Sequence, residues 1–369
     1  MIEQGRRELQ RMRETPEAWR ELRYEKGAAA DGYDCDVNAV RRAQVLWALQ
    51  YDRRAGDLAL VRWLAEAEAL CRREAPFQGL TEEAELAGFL LAEYRQVEDV
   101  WTQWELKRAN FDTWCGYDIE HVVAAGVATT IDFVRDSEHP YREEVLDRLL
   151  GDDGQPECSE DDVVAWARRR RMVFPRDPAG ESALTWVARA RLAGADETAR
   201  QWLDRWAAGR PRDRETVSRL RFELADLGAF AEAAAAQREL VAFGGTAWDR
   251  ASAWLSLAEL ERKAGGHDAA WAALRECGRT LGDVSGWTEV GLGRTFVHEL
   301  FLLAGEAGDD LAGAVFAEAD RRAAVVPRLP LVALQAAAEA AGRAGHPERA
   351  GHYRRARDAE QRRIDEVMR

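Results

Sequence analysis

The sequence predicts an all-α chain built as an α-solenoid of about eight stacked helical hairpins, and three observations carry that prediction. Five turn glycines, Gly194, Gly228, Gly265, Gly308 and Gly345, recur at steps of 34, 37, 43 and 37 residues, each flanked by helical periodicity. No strand-like alternation of useful length interrupts them. The stretch 254–277, WLSLAELERKAGGHDAAWAALREC, reads as one complete unit. Trp254, Leu257 and Ala258 make an apolar face, Gly265 and Gly266 break the helix, and Ala270, Leu274 and Cys277 return at spacings of four and three. A pair this short cannot bury both faces alone, so it needs stacked neighbours.

In chain order, residues 1–35 are highly charged, with one expected helix at 16–25 opened by Thr15 and Pro16. GAAADGYDCD (27–36) reads as a loop. A helical pair follows from Asn38, with Val45, Leu49, Leu60 and Leu64 at helical spacing and a break at Gly56. Thr81 opens the next pair, broken near 95–98, and a third pair is expected at 119–134 and 141–150, divided by SEHP. These make an irregular N-terminal half, 1–150. Residues 151–182 are expected to be a linker with one helix, capped by Ser159 with Asp162 and ending in the basic run 168–171. The turn-rich MVFPRDPAGES precedes the regular array, 183–369.

Composition narrows the function. Hydrophobic residues at 47% supply a core, and a formal net charge of −14 repels phosphate backbones, so no nucleic-acid partner is expected. The opening MIEQGRRELQRMR has no apolar core like that of a secretory signal, and no stretch approaches the roughly 20 apolar residues of a membrane span. Five scattered cysteines suit reduced thiols, so a cytoplasmic location is expected, with no membrane partner. The polar last helix reads as a cap that favours a monomer.

The array resembles tetratricopeptide repeats. Trp254, Leu257, Ala258, Gly265, Ala270 and Leu274 fit that family's pattern, as do Gly228, Phe230 and Ala233, and Gly194, Ala199 and Leu203 with Pro211 closing the unit. Arg221 and Phe301 depart from it, standing where a small residue is usual, as does Gly313 in place of Ala. The likeness covers 183–369 and extends only weakly to 38–150. It implies a right-handed superhelix whose first helices line a concave groove. The outward positions of those helices would then be Arg191; Ser218, Arg219, Phe222 and Asp226; Glu259, Arg262 and Lys263; His298 and Glu299; and Gln335, Glu339 and Arg343. Mixed charge of this kind suits an extended peptide or a partner helix, while solvated surface is the plain alternative.

For chemistry, the densest stretch is 107–121, KRANFDTWCGYDIEH, which gathers Asn110, Asp112, Trp114, Cys115, Tyr117, Asp118 and His121. Cys115 and His121 offer a nucleophile and a base; a hydrogen-bonded inter-helix loop with Trp114 and Cys115 facing inward is the alternative, and the one favoured. Asp118, Glu120 and His121 lack a convincing metal spacing, and no phosphate loop is present, so neither a metal nor a cofactor is expected. APFQGL (75–80) reads as a core-covering loop or an exposed contact. The expectation is a noncatalytic scaffold or adaptor holding a protein or peptide in its groove, with a ligand- or peptide-responsive regulatory sensor and an enzyme using Cys115 and His121 as alternatives.

Overall fold

The computed structural model describes residues 2–29, 32–77 and 79–368. The fold is all-α, with nineteen α-helices among the described residues and one short antiparallel hairpin, Lys26–Ala28 against Asp34–Asp36. That hairpin occupies the expected loop 27–36, of which residues 30 and 31 lie outside the described residues, as does Gln78 of APFQGL. The chain divides into two compact units, Met1–Ala195 and Asp196–Arg369, a boundary that falls inside the first of the five expected repeats.

The first unit opens with a helix, Ile2–Glu14, that the charged sequence conceals. Only Gly5, Leu9 and Met12 face inward, at steps of four and three, among seven charged neighbours. The expected helix at 16–25 is a 3₁₀ turn, Pro16–Leu22, and Thr15 gives it no side-chain cap. Helices Ala39–Asp52, Leu58–Glu74 and Glu82–Ala92 follow as the periodicity predicts, the last capped by Thr81, which accepts from the Ala84 amide. The expected break at 95–98 is real: Arg95 adopts a left-handed φ of 52°. The third pair is shorter than expected. Residues 119–126 form only a 3₁₀ turn, and a helix starts at Val127, whose amide donates to Glu160 Oε1 at 2.6 Å.

Two apolar clusters fill this unit. One gathers Leu46, Leu64, Leu86, Leu90 and Tyr117; the other gathers Val100, Trp104, Val123, Ile131 and Val145. The Glu160–Val173 helix, expected as the one helix of a linker, serves both, sending Trp166 to the first and Val163 to the second. Its capping box is the expected one, with Ser159 and Asp162 exchanging hydrogen bonds. The basic run at its end finds carboxylates within the chain: Arg170 meets Asp118 at 2.6 Å and Glu85 at 2.9 Å, and Arg171 meets Glu93 at 2.7 Å.

The second unit begins with helix Asp196–Ala207 and continues as four hairpins: Arg214–Asp226 with Phe230–Val241, Ala247–Lys263 with His267–Leu281, Gly291–Glu306 with Asp309–Ala323, and Leu331–Arg343 with Pro347–Val367. In the 254–277 unit, Leu257, Ala258, Ala270, Leu274 and Cys277 are buried as the spacing requires. Within this unit the turn glycines Gly228, Gly265 and Gly345 have φ of 71°, 79° and 77°. Each closes its helix the same way, the following amide reaching back five residues, as from Gly266 to the Glu261 carbonyl at 2.8 Å. Gly194 ends the last helix of the first unit in that fashion too, at φ 67°. Gly308 does not: its φ is −63°, and it caps the next helix in extended conformation.

Candidate functional site on the first helices of the second unit

Ser218, Arg219, Phe222 and Asp226 lie on the Arg214–Asp226 helix, with Phe222 47% exposed and Arg219 paired to Glu223 at 3.0 Å. On the next first helix, Lys263 pairs with Glu259 at 2.6 Å and lies 5.7 Å from the centre of the Phe230 ring. Arg191 is half-buried near the end of the first unit.

Several of the expected outward residues are ties between neighbouring hairpins. Arg262 is nearly buried and binds Glu299 at 2.6 Å and Glu306 at 2.7 Å, both on the following first helix. Glu299 itself is only 6% exposed, and burial raises its carboxyl above the ordinary value while the Arg262 guanidinium opposes the shift. His298 is half-buried beside them; burial, then Arg262, pushes its imidazole down. Arg343 donates to the carbonyls of Gly305 and Ala307, at 2.5 and 2.7 Å.

Gln335 and Glu339 belong to a cavity of about 550 Å³. Leu302, Leu331, Val332 and Ala336 supply its apolar wall, and Arg357 and Asp358 of the last helix complete the rim. Gln335 donates to Glu339 and accepts from Arg357 Nη1 at 2.5 Å. The spacing of the first helices points to two of these residues. Leu331, Val332 and Ala336 share their helix, whereas Leu302 comes from the Gly291–Glu306 helix and Arg357 and Asp358 from Pro347–Val367, which periodicity within one helix does not link.

The 107–121 segment is held together by its own polar groups. Asn110 caps helix Phe111–Gly116 and donates to the Arg72 and Gly79 carbonyls. Lys107 Nζ donates to the carbonyls of Trp114 and Tyr117, at 2.5 and 2.6 Å. Asp112 is half-buried in the first turn of that helix, Trp114 sits edge-on to Trp104, and Asp118 accepts from Trp166 and Arg170. Cys115 and Trp114 are exposed rather than turned inward, because the segment's core is filled by Tyr117 and His121. His121 is 1% exposed with neither ring nitrogen hydrogen-bonded, so no thiol–imidazole hydrogen bond joins it to Cys115. Among the described residues no three His, Cys, Asp or Glu side chains are placed to hold a metal ion, and no helix is long and apolar enough to cross a membrane.

His121 carries a pH prediction. Its ring stacks on Tyr117 at 4.1 Å and meets Trp166 edge-on at 4.6 Å. Burial, and then the Arg170 charge, holds its pKa well below 6.5; the Gly88 backbone works the other way without reaching hydrogen-bond geometry. The unfolded state therefore binds a proton that the folded state refuses, and stability falls as pH drops below 6.5. The slope is about 1.4 kcal/mol per pH unit. His121→Phe should remove that slope and stabilise the unit more at about pH 5.5 than at about pH 7.5. Urea melts at both pH values check it, and a gain independent of pH would refute it.

Compared with known proteins, the chain matches no family model and no curated protein.

Proposed function

We propose that the second unit is a noncatalytic, tetratricopeptide-like scaffold, its hairpins winding into a right-handed superhelix, that captures a protein or peptide on its first-helix face in the cytoplasm. The observation that carries this reading is the cavity of about 550 Å³ beside Val332. Its size suits an anchoring side chain and part of the backbone that bears it. An apolar wall inside a charged rim is the arrangement that holds an amphipathic segment, the wall burying its anchor and the rim fixing its register. Exposed Phe222, with Arg219 and Asp226 on the same helix, offers a second point of attachment.

The interhairpin ties limit how the reading can be tested. Reversing charge at Arg262 would strand the buried Glu299 and disturb the fold, so it does not report on capture. Val332 is 61% exposed and can be changed without that cost. A photo-crosslinking residue at Val332, expressed in the native host, should trap one discrete partner, whereas the same residue at exposed Val173 in the first unit should not. Val332→Asp should weaken recovery of that partner about tenfold. Equal crosslinking at both positions would refute the assignment.

A further inference from the structure

A second cavity, of about 220 Å³, lies among the helices Arg214–Asp226, Phe230–Val241 and Ala247–Lys263, and its character is different. Two stripes of side chains face each other across it. Arg214, Ser218 and Arg221 follow one another at steps of four and three on the first helix; Trp248, Ser252 and Ser256 do so at steps of four on the third. Both spacings bring residues to a single helix face. The walls are therefore rich in donors.

Those donors are largely unspent, although the Arg214 charge helps to hold the Asp249 carboxyl, after its hydrogen bonds with Thr246, below its ordinary value. The Arg221 Nε–H is shielded from solvent with no hydrogen-bond partner. Among the described residues, neither Arg214 nor Arg221 is in an ion pair, and the Ser218, Ser252 and Ser256 hydroxyls have no hydrogen-bond partner in the chain. The acceptors are few and partly committed. Asp249 Oδ2 accepts from the Thr246 amide at 3.1 Å, and Gln237 is fixed by donating to the Ala253 carbonyl at 2.9 Å. Two guanidinium groups thus face one carboxylate, in a chain whose net charge is −14. Arg221 also stands where the repeat pattern has a small residue; a small residue there would let the adjacent helices close.

We propose that this cavity binds a phosphoryl group carried on a phosphate monoester. Guanidinium forks match phosphate oxygens in pairs, and hydroxyls on the opposite helix supply donors from another direction, which suits a tetrahedral anion better than a planar carboxylate. The volume admits a phosphorylated side chain or a small phosphate ester and excludes a nucleotide. Trp248, 44% exposed, offers an apolar face for the carbon part of the ligand. The proposal stands independently of partner capture, because free phosphate reads the cavity with no partner present.

The test is calorimetric titration of the full chain at constant ionic strength with inorganic phosphate, glycerol phosphate, capped phosphoserine and acetate. Phosphate should bind saturably at one site, and acetate at the same concentration should not displace it. Arg221→Leu should weaken binding about tenfold or more, and Ser252→Ala with Ser256→Ala by a smaller factor, with melting temperature and circular dichroism unchanged. Should Arg221→Leu fail to fold, the serine pair decides alone. Capped phosphoserine binding more tightly than glycerol phosphate identifies a phosphorylated side chain as the source; the opposite order identifies a free ester. No saturation, full displacement by acetate, or wild-type affinity in the folded variants would overturn the proposal.

Discussion

Replacing Arg42 with Met should cost the first unit about 3–5 kcal/mol. Its guanidinium is fully buried and bonds Asp36 at 2.6 Å, Glu68 at 2.6 Å and the Leu22 carbonyl at 3.1 Å. The two carboxylates are themselves only 2% and 4% exposed, so removing the cation leaves two buried charges without a counter-charge. These contacts join the short hairpin, the 3₁₀ turn, and the Ala39–Asp52 and Leu58–Glu74 helices at one point. Arg42→Lys should not restore the loss, because an ammonium cannot present three donors in the fork this arrangement uses. Adding Asp36→Asn and Glu68→Gln to Arg42→Met should recover part of it, since the repulsion and desolvation of the stranded charges then disappear. Urea melts of the single and triple variants test the argument; equal stability of the two would show that burial of charge is not the cause.

A single methyl group should be nearly as damaging at Gly88. A Cβ there would stand 1.7 Å from Tyr117 Oη and 2.7 Å from its Cζ. Tyr117 has nowhere to go: it is fully buried, its hydroxyl donates to Gln103, and Gln103 Nε2 donates to the Gly88 carbonyl at 2.9 Å. Gly88→Ala must therefore break this ring of contacts or displace a helix, at a cost of about 3 kcal/mol. Tyr117→Phe in the same chain removes the nearest clash and leaves the Cζ contact, so the double variant should lose less than the sum of the two single losses. A double-mutant cycle by denaturant titration measures this, and strict additivity would mean that the two positions do not touch.

Most of the helical architecture was legible because helix ends have local chemistry. Thr81 and Ser159 are caps readable from one or two residues, and a glycine forced to positive φ leaves its mark at Gly228, Gly265 and Gly345. The features that escaped depend on distant partners. Ile2–Glu14 buries too narrow a stripe to stand out from its charge, and the Lys26–Ala28 strand is too short to show alternation. The site was less legible for a related reason. Helical spacing gives the angle at which a side chain leaves its helix, and nothing about where the next hairpin lands. Arg262, Glu299 and Arg343 point outward by that measure, yet each meets a neighbouring hairpin. Arg221 was visible as a departure from the repeat pattern, but the serines and tryptophan facing it belong to another helix.

The turn at Gly308 has a mechanical consequence. The left-handed glycine turns finish their own helices, but the Gly291–Glu306 helix ends without one, and Arg343 from the following hairpin supplies donors to its Gly305 and Ala307 carbonyls. A stack of self-sufficient links frays one link at a time from its free end. Here the hairpin of Leu331–Arg343 and Pro347–Val367 holds the clasp of the one before it, so the two should open together as a single cooperative segment.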